Sequence, residues 1–251
     1  KADPQTYADW AGGGEWNLET SGKEDAMFSP FLKKPFDLAI KAGLIPPHLN
    51  TIAGTWGAVH DTGEMTYMNL VHLDGVDGTD AHSLTRSEME GRKQAMLAIE
   101  ALRAYSLGCE GIRLRNFGMS IGIRDTRKVD CLYNMSEQDV RGEARFDDSI
   151  GIFPEFIDGY GLLILPTTGR YFHMPYRNLL PKEVQNLLIA GRCTGGDRIS
   201  HAATRNMACC AVGGQGAGIA AALSVRKKCT PADLPVSAIQ SELTRQGARW
   251  Q

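Results

Sequence analysis

Residues able to bind and orient a charged ligand are concentrated between positions 186 and 225. An apolar run of strand length, residues 186–190, stops at Gly191, where Arg, Thr, Gly and Asp take over, as is typical of a loop that faces a ligand. From about Ala202 to Val225 small residues predominate, which predicts a helix that another backbone or a flat ligand can approach closely. Because helix N-terminal N–H groups favour negative charge, this layout predicts a site for an anionic or dipolar cofactor.

Several motifs here and upstream resemble the FAD-dependent oxidoreductases related to fumarate reductase and glutathione reductase. The last strand of those proteins reads NLLVAGR and is followed by a small residue or Cys, a His, an Arg-x-Met and GQAAG. The matching residues are 186–192, Cys193, His201, Arg205 to Met207, and Gly214 to Gly218. Residues 121–140 and 171–192 are similar to the family's IGxRExRR, Leu-Thr-x-x-Asp-Val and IPYRxLLP segments, in the same order. Several motifs recurring in one order make the resemblance specific.

The resemblance implies an α/β fold in two parts. Residues 1–120 are expected to belong mostly to an α+β substrate or cap domain, with a β-hairpin and a long helix. Residues 121–251 are expected to form the return segment and the C-terminal part of a Rossmann-like FAD-binding domain. The implied cofactor is FAD, and the implied reaction is hydride transfer between the flavin and a small organic substrate.

The resemblance also assigns roles to individual residues. Arg205 and His201 are the catalytic candidates, since an Arg at the start of a similar segment binds substrate carboxylate in fumarate reductases. Negative charge develops at N1 and O2 of the flavin during hydride transfer, so the start of the helix of small residues is expected to stabilise that charge. Asp197 is expected to accept hydrogen bonds from the ribityl hydroxyls. The residues expected to bind the cofactor are Gly191, Arg192, Cys193, Asp197, Met207, Ala208, Cys209, Gly214, Gln215, Gly216, Arg124 and Arg127.

Arg124 and Arg127 belong to an arginine-rich stretch that admits two interpretations. The match to the family's RExR segment implies a turn that returns the chain towards the flavin, and Arg is a natural partner of phosphate and carboxylate. The alternative is a surface ion-pair cluster of small energetic value. Both interpretations stay open at this point.

A complete enzyme of this kind begins with a strand and GxGxxG, followed about twenty positions later by an acidic residue for the ribose. No strand pattern leads into Gly214 or into Gly12, and Asp233 lies between two prolines. We therefore expect a partner polypeptide with the dinucleotide-binding half, either a separate subunit or the other fragment of one precursor, and the start at Lys1 without Met fits a processed chain in a heteromer. The alternative is a non-catalytic subunit or interaction protein that retains the fold without flavin. The retained Arg192, Asp197, Arg205 and Gln215 favour the enzyme.

Composition excludes other classes. The chain has 251 residues, 43% hydrophobic and 22% charged, which is ordinary for a globular protein. Its net charge of -2 lacks the excess of positive charge that is typical of nucleic-acid-binding proteins. No apolar run is expected to reach the length of a membrane span. The six cysteines lack zinc spacing and are interpreted as packed thiols in the cytoplasm or another reducing compartment. No metal site is expected, since residues 74–84 lack the EF-hand order.

Local patterns predict the remaining elements. Helices are expected at residues 35–44, from Thr85 to near Gly108 with Glu88 closing a capping box, and after the cap Ser136. Apolar residues of the long helix, including Met89 and Met96, are expected to pack in a core. A hairpin is expected within residues 51–73, with structural or surface roles for its histidines. Further strands are expected in the ranges 111–132, 161–166 and 171–175.

Overall fold

The computed structural model describes residues 30–50, 52, 58–66, 68–159, 162–164 and 169–251. The chain forms two compact units, whose described parts run from Pro30 to Ile123 and from Arg124 to Gln251. Helices and strands occur in both, so the mixed α/β class predicted from the sequence is confirmed. The strand pairs of the described residues are antiparallel. The Rossmann-like arrangement therefore stays a prediction.

The first unit contains two helices and a small hairpin. Helix α1 spans Pro30–Lys41, strands β1 and β2 span Ala58–Val59 and Met65–Thr66, and helix α2 spans Ala81–Tyr105. Helix α1 packs on α2. The buried residues of this core are Phe36, Ala39, Ile45, Ile52, Leu70, Ala98, Ala101 and Leu102.

One prediction for this unit holds and two need correction at their boundaries. The hairpin is confirmed, with Gly63 at a φ of +85° in the turn. Helix α1 begins five residues before the predicted start at position 35. Helix α2 begins at Ala81 and not at Thr85, because the Asp80 carboxylate accepts from the N–H groups of His82 and Ser83 and caps the helix one turn earlier.

Two further predictions were wrong. Met89 and Met96 are 59% and 41% exposed, so the methionines of α2 do not pack in the core of the described residues. The described structure has no strand within residues 111–130 either. That segment is polar and buries neither face, and a strand without a buried face or a neighbouring strand has little to stabilise it.

The second unit is built on a strand pair. Helix α3 (Glu137–Arg141) precedes strands β3 (Ser149–Pro154), β4 (Ile157–Gly159), β5 (Leu162–Ile164) and β6 (Tyr171–Pro175). Helices α4 (Arg198–Thr204), α5 (Met207–Lys227) and α6 (Val236–Arg245) follow. Strand β3 pairs with β6, placing Phe153 opposite Phe172, and β4 pairs with β5. Strand β6, the described part of the 161–166 strand and the helix capped by Ser136 are confirmed as predicted, and Ser136 forms a capping box with Asp139.

Helix α5 covers the β3–β6 pair, and α6 covers α5. The core between them contains Ile150, Phe153, Phe172, Met174, Tyr176, Leu179, Ile219, Ala220, Ile239 and Leu243. By length and composition α5 could cross a membrane, contrary to the sequence-based expectation, since an 18-residue window has a mean hydropathy of 1.5. Buried core helices meet the same test, and one side of α5 lies against β3.

The apolar run 186–190 does not form the predicted strand. Asn186 has a φ of +56°, and within the described chain the run receives one backbone bond, from Ile189 N–H to the Leu179 carbonyl. A strand needs a continuous ladder of bonds to a neighbour. The described residues supply no such neighbour, so the run has no regular secondary structure.

Candidate functional site

Asp197 ties the predicted ligand loop to two helix starts. One carboxylate oxygen accepts from Ser200 N–H at 2.8 Å and caps α4, while the other accepts from Glu137 N–H at 2.6 Å at the start of α3. The Asp197 N–H donates to the Met135 carbonyl at 3.0 Å. A carboxylate has about four acceptor positions, so these bonds orient Asp197 and leave lone pairs for other donors.

The prediction of a single helix over residues 202–225 is wrong, because the helix is interrupted at Arg205 and Asn206. The Asn206 side-chain amide donates to the carbonyls of Ala202 and Ala203 at 3.0 and 2.8 Å, which satisfies the C-terminal end of α4. Asn206 itself is extended, with φ −62° and ψ 143°, and α5 starts at the next residue. The break places Arg205 between the two helices.

The N-terminus of α5 is uncapped. Asn206 makes no side-chain capping bond, and among the described residues no acceptor pairs with the backbone N–H groups of Met207, Ala208 and Cys209. Met207 is 90% exposed, whereas Cys209 is buried with its sulfur 3.6 Å from that of Met174. A 21-residue helix with free N-terminal amides presents partial positive charge to an approaching anion.

Arg205 is joined to Arg124 by Asp158. Nη2 of Arg205 donates to the Asp158 carbonyl and lies 3.3 Å from Oδ2 of the same residue. Nη2 of Arg124 lies 2.7 Å from that Oδ2. The Arg205 side chain is only 10% exposed, whereas that of Arg124 is about half-exposed. The two guanidinium groups therefore share one carboxylate beside the α4–α5 junction.

His201 is buried under this cluster. Its side chain is 2% exposed, and Nε2 lies 3.0 Å from the Arg124 carbonyl and 3.4 Å from Oδ1 of Asp125. Burial lowers the pKa of His201, and the bond to the Arg124 carbonyl opposes that shift. A neutral imidazole with Nε2–H donating to a carbonyl is the form this environment favours.

The other residues singled out from the sequence lie in three places. Gly191, with a φ of +87°, exposed Arg192 and half-buried Cys193 form the loop before α4. Gly214 and Gln215 lie on the exposed side of α5, where Gln215 donates to the Gln246 side chain at 3.1 Å. Gly216 is buried against Ile150, and Arg127 is exposed.

The positive charge of Arg192 acts on Cys210, in the first turn of α5. Burial raises the pKa of the Cys210 thiol, and the positive charges of Arg192 and Arg205 oppose that effect. All six cysteines are free thiols. Among the described residues no group of His, Cys, Asp or Glu is arranged to hold a metal ion.

Comparison with known proteins identifies the family. The family model described as FAD dependent oxidoreductase matches residues 17–243. The chain belongs to this family. No curated protein and no solved structure matches the chain. Membership of this family supports a flavin-dependent redox role for the protein and implies that it binds FAD.

The start of α5 is the place where the described residues fit such a cofactor. The free N–H groups of α5 and the nearby Arg205 offer hydrogen bonds and positive charge to an acceptor that becomes negative. The structure brings Arg124, His201 and Arg205 together, while Gly216 faces the protein core. The individual roles of these residues stay predictions.

Three residues that shape the candidate site were not predicted from the sequence. Asp158 lies on β4, Asn206 breaks the helix, and Asn178 is fully buried with its amide donating to the carbonyls of Tyr133 and Gly195 at 2.9 and 2.7 Å. Asn178 thereby fixes the loop that precedes Asp197. Only Asn206 had a local signal, since Asn is a poor interior helix residue that competes for backbone groups.

Proposed function

We propose that this flavoprotein transfers hydride between its FAD and a small organic substrate that carries a negative charge. The uncapped start of α5 beside Arg205 carries the proposal, because free helix N–H groups next to a guanidinium suit developing negative charge. FAD would supply the hydride acceptor or donor when bound. The protein groups would supply orientation and electrostatic stabilisation.

The chain's own residues divide into three roles in this proposal. The N–H groups of Met207, Ala208 and Cys209 would face the flavin where charge develops. Arg205 and Arg124 would bind the substrate anion. His201 is buried and bonded to the Arg124 carbonyl, so it would position that backbone.

The loop before α4 would bind the rest of the flavin moiety. Asp197 is oriented by the starts of α3 and α4 and keeps acceptor capacity for ribityl hydroxyls. Arg192 is exposed and adds positive charge near the first turn of α5. We assign Gly191 and Cys193 to the same surface as close-approach positions.

We further propose that a polypeptide carrying GxGxxG completes the cofactor site. An exposed apolar surface, built mostly from small residues, supports this proposal, because exposed apolar patches usually mark protein–protein interaction sites. On α5 it comprises Met207, Ala211, Gly214, Gly218, Ala222 and Val225. Leu187 and Val184 are also exposed and would gain a ladder partner or a packing surface. The other product of one precursor is the simplest source of that polypeptide.

Native mass spectrometry combined with the visible absorption spectrum tests the proposal on the purified native material. We expect oxidised-flavin bands and a complex heavier than this chain plus FAD. A stable FAD-loaded species at 27.4 kDa plus cofactor would overturn the partner proposal and require a complete dinucleotide site within these residues. A native complex without flavin bands would instead support a non-catalytic subunit.

A further inference from the structure

The second unit contains a cavity that the proposed function does not use. Its volume is about 300 Å³, and it is partly open to solvent. Binding pockets for small molecules have volumes of about 300–1,000 Å³, so this one suits a small ligand. Its walls come from β6, α6, the loop before β3 and the residues after α6. The side chains that decide its chemistry are Arg145, Phe146, Asp147, His173, Gln240 and Trp250.

The cavity lies on the face of β6 that points away from α5. Met174 places its sulfur 3.6 Å from that of Cys209 on α5. His173, the preceding residue, lines the cavity. Successive side chains of a strand point to opposite faces. A ligand in the cavity would therefore not contact the proposed flavin-binding surface at the start of α5.

His173 presents an N–H donor to the cavity. His173 is 7% exposed, and the Phe146 backbone N–H donates to its Nδ1 at 3.2 Å, closer than the Phe146 carbonyl at 3.5 Å. A backbone N–H can only donate, so Nδ1 offers a lone pair and Nε2 carries the proton of the neutral ring. The described residues give Nε2 no partner. A donor that is so deeply buried is costly to leave unpaired, which points to a ligand that accepts this bond.

Hydrogen bonds fix the walls of the cavity and leave an acceptor free. The Ser149 hydroxyl donates to the Trp250 carbonyl at 2.5 Å, and the Trp250 indole N–H donates to the Thr244 hydroxyl at 3.0 Å. The Gln240 side-chain amide donates to the Asp147 carbonyl at 2.8 Å. Oε1 of Gln240 makes no bond within the described chain. The rings and the loop are therefore held in place before a ligand binds.

The described wall of the cavity carries charges of both signs. Arg145 donates from Nη1 to the Tyr171 carbonyl at 2.6 Å, and its guanidinium lies 3.9 Å from the centre of the Tyr171 ring. Nη2 of Arg145 is 3.5 Å from Oε2 of Glu143. Asp147 is exposed, and its carboxylate makes no ion pair within the described chain. A ligand that carries a positive group would supply the partner that Asp147 lacks.

We propose that this cavity binds a small zwitterion with an aromatic side chain, of the class of the aromatic α-amino acids. The His173 N–H and the Arg145 guanidinium bind the carboxylate. Asp147 binds the ammonium group, and the rings of Phe146 and Trp250 contact the aromatic side chain. A carboxylate without the ammonium group would meet the negative charge of Asp147 uncompensated. Such repulsion of the wrong ligand contributes to specificity as much as attraction of the right one.

Isothermal titration calorimetry of the purified native assembly with L-phenylalanine tests the proposal. We expect one molecule to bind per chain, with a Kd on the order of 1 mM or tighter for a ligand of this size. 3-Phenylpropionate and phenethylamine keep the aromatic ring, and each lacks one of the two charges. Both should bind about fivefold more weakly than L-phenylalanine.

Three variants locate the ligand. Asp147→Asn should raise the Kd of L-phenylalanine about fivefold without weakening the binding of 3-phenylpropionate, because only the ammonium group loses its partner. Trp250→Ala should weaken both ligands by about tenfold through the lost ring contact. Asp130→Asn is the matched control, since it removes the same charge from an exposed pair with Lys182 outside the cavity. It should leave every Kd unchanged.

Each contrary result has a defined meaning. A wild type that binds no L-phenylalanine at about 10 mM, well above the expected Kd, would overturn the proposal. An unchanged Kd in both Asp147→Asn and Trp250→Ala would place the ligand elsewhere and also overturn it. Equal Kd values for L-phenylalanine and 3-phenylpropionate in the wild type would contradict the choice of a zwitterion. If Trp250→Ala loses its folded circular dichroism spectrum, Asp147→Asn decides alone, because its altered carboxylate is on an exposed residue.

Discussion

Gly216 tests why α5 is built from small residues. A Cβ built on Gly216 would lie 2.6 Å from Cδ1 of Ile150, 3.1 Å from its Cβ and 3.3 Å from its Cγ1. Strand β3 has a matching glycine, Gly151, whose Cβ would lie 2.2 Å from Cγ1 of Val212. Each missing Cβ is thus replaced by a side chain of the opposite element. The two glycines set the distance between α5 and β3.

Gly216→Leu should destabilise the protein substantially. Ile150 is 1% exposed and cannot turn into solvent, so four added carbons must displace the core. Overpacking of this kind costs about 1–3 kcal/mol or more, while the better helix propensity of Leu offsets about 0.8 kcal/mol. We expect a net loss of about 1–2 kcal/mol, which lowers Tm by roughly 2–8 °C for a protein of this size.

The assay is thermal unfolding followed by circular dichroism, with flavin retention measured on the same samples. A matched pair sharpens it, because Ile150→Val deletes Cδ1, the atom closest to the new Cβ. The double variant Gly216→Ala with Ile150→Val should be more stable than the sum of the two single changes, by about 1 kcal/mol. An unchanged Tm in Gly216→Leu, or strict additivity in the double variant, would refute the packing argument.

Three further predictions concern the site, the pH dependence and the exposed side of α5. Arg205→Ala should lower turnover more than FAD stoichiometry, and equal losses of both would make Arg205 a purely cofactor-holding residue. Burial lowers the pKa values of His201 and His173, so the unfolded state binds more protons and stability should fall as the pH drops below about 6.5. A Tm series from neutral to acidic pH should show a shallower fall for His201→Gln, and an identical slope would contradict this assignment. Gly218→Leu should reduce the fraction of native complex in mass spectra, since nothing lies within 4 Å of that position in the described chain. A complex of undiminished abundance would show that this side of α5 is not an interface.

Elements with a complete local signal were predictable from the sequence. Ser136 and Asp139 form the capping box because each side chain meets a backbone group three residues away. Strand β6 was predictable because alternating rings and polar groups mark it. The start of α2 was misplaced because Asp80 and Thr85 are both acceptable caps, and only the structure shows that Asp80 accepts two N–H groups.

Features that depend on distant residues were not predictable. Asp158 is 34 positions from Arg124 and 47 from Arg205, so no local spacing connects the three. Asn178 is separated from Tyr133 by 45 positions and from Gly195 by 17. The apolar run 186–190 was predicted as a strand from its composition, but a strand also requires backbone partners, which a pattern of side chains cannot supply.

The two sides of α5 need different explanations for their glycines. Gly213 and Gly216 face the core. A close approach of β3 accounts for Gly216, whereas a Cβ at Gly213 would make only an ordinary contact with Leu179, 3.8 Å away. Gly214 and Gly218 are exposed, and a Cβ at either position would meet no atom within 4 Å. Each glycine in a helix interior costs about 1 kcal/mol relative to Ala, and packing within the described residues offsets this cost only at Gly216. A backbone or flat cofactor resting on the exposed side would offset it there as well, as the proposed partner polypeptide or the flavin would.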